Sequence, residues 1–316
     1  MKASHNPGTN NPIKGIALKV SSVAIFVAMS SLIKAAGTVP AGQIVFYRSL
    51  FAMLPILAFL AFRHELRTAF YTTRPLNHIA RGVVGVTSMG LGFFALTRLP
   101  LPEAITLNYA QPLMVVVFSA IFLGETVRVF RWSAVIVGLI GVFIISWPKL
   151  TLLSGGAAMG NEQAVGVIAA LAAAAVSAVA AILVRSLVHT ERTGTIVLWF
   201  SLTATIMALV TYPFGWEKLT VAQTICLTGA GLCGGLGQLL MTEAYRHAQL
   251  STVAPFEYTS MILAIVVGYF VFADIPTIHM LVGGVIVVGA GIFIIWREQR
   301  LGLERGAARK VTPPQG

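Results

Sequence analysis

The feature that decides the fold is a repeated stretch, which reads ALTRLPLPEAITLNY from Ala95 to Tyr109 and AYRHAQLSTVAPFEY from Ala244 to Tyr258. The two stretches align at an offset of 149 residues, and the same offset places Phe118–Glu125 on Val267–Asp274. Similarity at a fixed offset indicates that one structural unit occurs twice in the chain. The sequence therefore predicts two related halves.

The composition is that of a membrane protein. Hydrophobic residues make up 57% of the 316 residues and charged residues 10%, against about 25% charged residues in soluble domains. The net charge of +11 comes from Lys and Arg in short gaps between apolar stretches. No basic stripe interleaved with aromatic residues indicates nucleic-acid binding. The expected partners are the lipid bilayer and a small-molecule substrate, and no nucleic acid is expected.

Ten apolar stretches are long enough to cross a bilayer, which takes about 17–25 residues. They lie near 13–33, 41–62, 75–97, 101–123, 131–147, 164–188, 194–213, 221–244, 250–273 and 277–296. Each half holds five spans, an odd number, so the two halves must face opposite ways in the membrane. The predicted fold is an all-α integral membrane protein whose ten transmembrane helices form two inverted five-helix repeats.

The distribution of Lys and Arg predicts the orientation. If the N-terminus is cytoplasmic, fifteen of these residues fall in inside segments and four in outside segments, as the positive-inside rule requires. Both termini are therefore expected in the cytoplasm. The expected divisions are a cytoplasmic tail at 1–12, the first repeat at 13–148, an external linker at 149–163, the second repeat at 164–297 and a basic cytoplasmic tail at 298–316.

A few charged residues fall inside the predicted spans. Glu257 lies about seven residues into the ninth span, roughly 10 Å deep at 1.5 Å per residue. A carboxyl group at that depth binds substrate, couples protons or forms a static ion pair. Arg81 has nearly the same depth in the third span and could pair with it, and Arg48 in the second span could meet Glu103. Such pairs could close one face of a cavity or pin two helices. Lys19 can extend toward the headgroups and is assigned no role.

Polar side chains recur at equivalent positions of the two halves. They are Asn108, Tyr109 and Gln111 in the fourth span, and Glu257, Tyr258 and Ser260 in the ninth. Residues three apart share a face of a helix, so the two polar faces are expected to line a substrate site at the repeat interface. The alternative is that these groups form hydrogen bonds that hold helices together.

Glycines in the eighth span match the pattern of a dinucleotide-binding motif. Gly229–Gly234 fits GxGxxG but lies in an apolar span with no preceding strand, so it indicates helix packing. Gly231 and Gly235 form a GxxxG pair, which allows close helix approach, and Gln238 is expected to face the substrate cavity. The sequence contains no GxSxG, P-loop or Cys/His cluster. No enzyme activity, cofactor or metal is expected.

Several motifs resemble those of EamA-type transporters in the drug/metabolite transporter superfamily. They are FYRS at Phe46–Ser49, Pro112-Leu113, FLGE at Phe122–Glu125, and Gly138 followed by GVFII at Gly141–Ile145. The resemblance covers about 13–298 as two units, although the second half has Asp274 where the first has Glu125. It implies ten helices, cytoplasmic termini and a central cavity at the repeat interface.

The motifs KVSS at Lys19–Ser22, MSSLIK at Met29–Lys34 and QIVFYR at Gln43–Arg48 are similar to those of bacterial vitamin and cofactor carriers. This resemblance implies riboflavin uptake across the bacterial inner membrane. A flat aromatic substrate would suit a cavity lined by Tyr109, Tyr258, Phe93 and Phe94, although packing explains the two phenylalanines equally well. The alternatives are an S-adenosylmethionine carrier, an exporter of amino acids or metabolites, and a membrane-embedded enzyme, which the absent catalytic motif disfavours. Glu257 is expected to take up a proton or to bind a polar group of the substrate, and uniport or exchange without proton coupling is the alternative.

Overall fold

A computed structural model describes residues 12–72, 74–123, 129–150, 158–188, 191, 193–247 and 254–311. Within these ranges the regular elements are α-helices and short 3-10 turns. The α-helices are α1 Pro12–Ala35, α2 Ala41–Phe62, α3 Pro75–Leu96, α4 Leu101–Asn108, α5 Ala110–Leu123, α6 Val129–Leu150, α7 Ala158–Val188, α8 Thr193–Val210, α9 Val221–His247, α10 Thr259–Phe272 and α11 Ile278–Val311. The 3-10 turns are Leu66–Thr68, Tyr212–Phe214 and Ala254–Tyr258.

Six of the described helices are long and apolar enough to cross a membrane. These spans are Ile13–Ala35, Ala41–Phe62, Pro75–Leu96, Glu162–Leu183, Val221–Met241 and Ile278–Arg297. Shorter apolar helices are Trp132–Pro148, Gly194–Val210 and Phe256–Phe272. Large apolar side chains such as Phe62, Ile136 and Phe270 are exposed on the outer surface, where lipid rather than water is the compatible solvent. The chain is therefore a multi-pass membrane protein.

The fourth predicted span, 101–123, is not one continuous helix. It divides at Tyr109 into α4 and α5, because Pro112 lacks an N–H for the carbonyl of Asn108 and its ring collides with that carbonyl. In the second half, the 3-10 turn Ala254–Tyr258 passes into α10 at Tyr258. Tyr109 has φ −68° and ψ −6°, and Tyr258 has φ −69° and ψ −10°. The same interruption therefore occurs at equivalent positions of both halves.

Helix packing follows the symmetry of the repeat. The offset of 149 residues relates α1 to α7, α2 to α8 and α3 to α9. α1 packs against α9, and α3 packs against α7, so each contact is the symmetry copy of the other. α2 packs against its own counterpart α8, and α6 packs against its counterpart α11. These contacts agree with two five-helix repeats related by a pseudo-two-fold axis.

Polar contacts show which helix ends lie together. At one end of the molecule, here the Asp274 end, the contacts are Lys34 with Asp274, Gln43 with Glu217 and Arg98 with Glu162. At the opposite end, the Glu191 end, they are Thr72 with Glu191, Trp199 with Phe70 and Arg63 with Glu243. α3 thus begins at the Glu191 end, whereas its counterpart α9 begins at the Asp274 end. The two repeats are inverted, as the odd number of spans predicts.

Glycines bring neighbouring helices into backbone contact. A Cβ on Gly235 of α9 would lie 2.5 Å from the carbonyl oxygen of Ala52 in α2, and one on Gly231 would lie 2.9 Å from that of Tyr47. The GxxxG pair therefore packs α9 against α2, and the prediction of a packing role is confirmed. Gly141 of α6 and Gly283 of α11 approach each other in the same way.

Candidate functional site

A buried lysine and a carboxylate meet between the two repeats. Lys19 of α1 binds Glu257, which lies in the 3-10 turn before α10. The side chain of Lys19 is 1% exposed, whereas that of Glu257 is 50% exposed. The sequence analysis assigned Lys19 no role and suggested Arg81 as the partner of Glu257. Both expectations are wrong, because α1 packs against the 254–258 turn and directs Lys19 toward that carboxylate.

The two interruption tyrosines continue this cluster. The hydroxyl of Ser260 donates a hydrogen bond of 2.7 Å to the carbonyl of Glu257, and the hydroxyl of Tyr109 contacts the hydroxyl of Ser260. Because Ser260 has only one hydroxyl proton, Tyr109 is the donor in that contact. The rings of Tyr109 and Tyr258 meet edge to face, with centroids 5.1 Å apart. The interface cluster consists of Lys19, Tyr109, Glu257, Tyr258 and Ser260.

A narrow crevice, the arginine crevice, lies between α2 of the first repeat and α8 and α9 of the second. Its lining residues are Arg48, Ala52, Ile56, Val197, Phe200, Ser201, Gly234, Gly235 and Gln238. Arg48 is 7% exposed, and its Nε has no hydrogen-bond partner among the described residues. The predicted partner Glu103 is buried at the start of α4, and its pairing with Arg48 stays a prediction. Gln238 lines the same crevice as Arg48.

Arg81 approaches the crevice from α3. Its guanidinium carbon lies 3.8 Å from the ring centroid of Phe200, a crevice-lining residue on α8. α3 comes close to α8 because Gly82 and Gly85 leave room for Thr203 and Phe200. Neither Nε nor Nη1 of Arg81 has a hydrogen-bond partner in the described part of the chain. A cation over an aromatic face is favourable, but the contact does not neutralise the charge.

The sequence analysis missed His78, one turn before Arg81 on α3. It is 1% exposed and stacks on Trp199 of α8, with ring centroids 5.6 Å apart. Neither ring nitrogen has a hydrogen-bond partner among the described residues. The spacing of three residues from Arg81, inside an apolar span, was a signal that could have placed both side chains on one helix face.

Asn108 and Gln111 lie outside both groups. The argument that they share a helix face assumed a continuous helix, but Tyr109 separates them onto α4 and α5. Asn108 is exposed and Gln111 is half-buried. Phe93 and Phe94, expected near a flat substrate, do not line the crevice. Phe93 belongs to a hydrophobic core cluster, and Phe94 packs under the guanidinium of Arg98.

A second feature that sequence analysis missed is a polar junction at the Asp274 end. Asp274 accepts hydrogen bonds of 2.9 Å from the amine of Lys34 and 2.9 Å from the backbone N–H of Leu101. Lys34 also donates to the carbonyl of Leu99, at 3.0 Å. The junction joins the ends of α1 and α10 to the start of α4, and thus links the two repeats. The carboxylate at the start of α4 is also favourably placed for the helix dipole.

Known proteins of three named activities are similar to this chain. The pseudopaline exporter CntI of Pseudomonas aeruginosa is 30% identical over 284 residues, which cover 88% of this chain and 94% of that protein. A riboflavin transporter of Rhizobium johnstonii is 28% identical over 262 residues, 83% of each chain. An S-adenosylmethionine uptake transporter of Rickettsia bellii is 24% identical over 258 residues, 82% of this chain and 84% of that one.

A solved crystal structure shares the fold. It superposes with a TM-score of 0.64 at 17% sequence identity and covers 91% of this chain and 98% of its own. The EamA-like transporter family matches this chain twice, at residues 13–147 and 164–297. The two matched blocks are one family unit in each half of the chain, as the internal repeat and the inverted packing require. The chain therefore belongs to the EamA-like transporter family.

Proposed function

We propose that the chain is a secondary transporter that moves a small organic metabolite across the bacterial inner membrane by alternating access. Family membership supports transport of a small metabolite, and the relatives are named as transporters or exporters of such compounds. The two five-helix repeats rock against each other and expose the space between them to each side in turn.

The observation that carries this proposal is the Lys19–Glu257 ion pair. Its two members come from different repeats, so relative motion of the repeats changes their separation. An ionisable side chain inside a membrane is energetically costly and typically marks a substrate or proton pathway. Glu257 is half exposed and is therefore accessible to a proton or to a polar group of the substrate. In this mechanism, Glu257 releases Lys19 and binds either a proton or a polar group of the substrate during the transport cycle.

The specific substrate that we propose is riboflavin, and the proposed direction of transport is uptake. Riboflavin transporters of Rhizobium johnstonii and Vibrio cholerae are each 28% identical to this chain. The paired rings of Tyr109 and Tyr258 at the repeat interface are compatible with a flat aromatic substrate. Phe94 packs on the same hydrophobic cluster as these two tyrosines, whereas Phe93 belongs to another cluster. S-adenosylmethionine uptake and metabolite export are the alternatives, and each is the named activity of a relative.

The test is uptake of labelled riboflavin by riboflavin-auxotrophic bacteria that express the chain. Unlabelled riboflavin, S-adenosylmethionine and an amino-acid mixture serve as competitors, and cells with empty vector give the background. Saturable uptake that only riboflavin inhibits supports the assignment. Background uptake, with the protein present in the membrane fraction, overturns riboflavin import. Release of labelled compounds from preloaded cells then tests export.

The orientation and divisions of the chain belong to the same proposal. The excess of Lys and Arg near the Glu191 end supports a cytoplasmic location for that end and for both termini. The repeats would then extend over 13–148 and 164–297, with an external linker at 149–163 and tails at 1–12 and 298–316. A reporter fused to the C-terminus tests this: green fluorescent protein should be fluorescent there, and alkaline phosphatase should be inactive. Active phosphatase would reverse the orientation.

A further inference from the structure

The two buried arginines at the repeat interface are only partly satisfied by the described residues. Arg48 and Arg81 each have guanidinium nitrogens that are buried and lack a hydrogen-bond partner in the described chain. Ion pairs between described residues include Lys19, Lys34, Arg63 and Arg98. A buried charge without a partner costs several kcal/mol. Such a cost inside a membrane protein is typical of groups that act on a transported species.

The two arginines reach the same region from opposite ends of the molecule. Arg48 lies seven residues after the start of α2 at the Asp274 end, and Arg81 lies six residues after the start of α3 at the Glu191 end. At 1.5 Å per residue, each enters the membrane by about 10 Å. Phe200 joins them, because it lines the crevice beside Arg48 and carries Arg81 on its ring. The two positive charges repel each other.

The crevice encloses the Arg48 guanidinium tightly in this conformation, so a ligand reaches it only when the two repeats separate. A Cβ on Gly234 would lie 3.0 Å from Arg48 Nε, so glycine at this position lets the guanidinium pack directly against α9. Gln238, one turn later on α9, adds an amide to the same lining. Guanidinium and amide donors around a buried space match the oxygens of a carboxylate or phosphate.

We infer that the transported metabolite carries a carboxylate or phosphate group, which Arg48 binds in the arginine crevice with Arg81 close by. This inference rests on the proposed transport function and adds the chemical class of the substrate. It favours the alternatives to riboflavin, because riboflavin has neither group whereas S-adenosylmethionine has a carboxylate. An anion placed between the two cations removes their repulsion and supplies the missing hydrogen-bond acceptors. Since α2 and α3 belong to the first repeat and α8 and α9 to the second, the bound anion also contacts both moving parts.

The binding test uses two pairs of probes that differ in charge. The full-length protein is placed in nanodiscs of phosphatidylcholine only, so that no anionic headgroup competes. Thermal stability is then measured at constant ionic strength with riboflavin against riboflavin 5′-phosphate, and with benzoate against benzamide. The anionic member of at least one pair should raise the melting temperature of the wild type more than its neutral counterpart. Equal effects of both members in both pairs would overturn the inference.

Two variants assign the effect to the crevice. Arg48→Gln should weaken binding of the anionic probe by about tenfold or more, the cost of one charge-assisted contact. Arg98→Gln is the matched control, because Arg98 also lies over an aromatic ring but is paired with Glu162. It should bind the probe as the wild type does. Equal losses in both variants would show a general charge effect and refute the site.

A measurement without probe separates a binding group from a structural one. Arg48→Gln should melt at the same or a higher temperature than the wild type, because it removes an uncompensated buried charge. A clearly lower melting temperature would make Arg48 a structural residue. A stabilisation that depends on Arg48 and appears only in nanodiscs with phosphatidylglycerol would assign the site to lipid and overturn the substrate inference. Anion binding without cellular transport would instead contradict the proposed function and leave this site intact.

Discussion

Lys19 and Glu257 form an ion pair across the repeat boundary although 238 positions separate them in the chain. The pair is asymmetric, since the lysine is 1% exposed and the glutamate 50% exposed. A ligand or proton can therefore reach the carboxylate while the ammonium group stays enclosed. This arrangement suits an exchange in which the carboxylate changes partner and the lysine remains in place.

Replacement of Glu257 by Gln should stop transport and lower stability. Gln removes the negative charge from beside a buried ammonium group, and loss of one member of a buried pair costs up to about 3–5 kcal/mol. The half-exposed position of Glu257 puts the expected loss at the low end of that range. Uptake assays from pH 5.5 to 8 and thermal unfolding in detergent measure the two effects.

The double variant Lys19→Gln with Glu257→Gln separates stability from transport. It removes both charges, so it should regain most of the melting temperature lost in Glu257→Gln and still fail to transport. If Glu257→Gln transports at the wild-type rate with the wild-type pH dependence, Glu257 has no coupling or binding role.

Opening of the Asp274 end should require separation of Lys34 from Asp274. We expect a Lys34→Cys, Asp274→Cys variant, joined by a short bis-methanethiosulfonate that forms a disulfide with each cysteine, to lose transport and to regain it after reduction of those disulfides. Cys226 and Cys233, which are free in the structure, must first be replaced by Ser. Either single cysteine variant treated with the same reagent is the control. Full transport by the completely crosslinked protein would exclude motion at this junction from the cycle.

The inverted fold was predictable because it depends on two properties that sequence records directly. Span length and apolarity identify membrane helices, and the 149-residue offset identifies the repeat. The position of the helix interruption was also accessible, since Pro112 excludes a hydrogen bond to the carbonyl of Asn108. The sequence analysis treated that span as continuous, and the shared face of Asn108 and Gln111 stays a prediction.

The partners of the buried charges could not be predicted from depth alone. Glu257 and Arg81 lie at similar depths, but depth does not give the direction in which a side chain leaves its helix. That direction depends on which helices pack together. Gly82 and Gly85 allow α3 to pack closely against α8, because they have no side chain at the contact. Arg81 consequently lies on Phe200, whereas α1 brings Lys19 to Glu257.

Gly235→Ala should destabilise the protein through the α2–α9 contact. The added methyl group would lie 2.5 Å from the carbonyl oxygen of Ala52 and 2.5 Å from the ring of Pro55. Overpacking of this kind costs about 1–3 kcal/mol, which should lower the melting temperature measured in detergent. Gly289→Ala in α11 is the control, because a methyl group there has nothing within 4 Å. Equal melting temperatures for the two variants would contradict the close approach of α2 and α9.

The hydroxyl of Tyr109 should contribute to stability through Ser260 rather than through its ring. Tyr109→Phe keeps the edge-to-face contact with Tyr258 and removes the hydroxyl that bonds to Ser260. We expect a loss of about 1 kcal/mol in the free energy of unfolding. Ser260→Ala should cost more, because Ser260 also donates to the carbonyl of Glu257.

A double-mutant cycle of these two changes tests the contact itself. The double variant should be about 1 kcal/mol more stable than the sum of the single losses predicts, because each single change already breaks the shared hydrogen bond. Strict additivity would mean that the two hydroxyls do not interact. Because the contact joins the interruptions of the two repeats, its loss should also change the uptake rate, whereas a contact that stays intact throughout the cycle would alter stability alone.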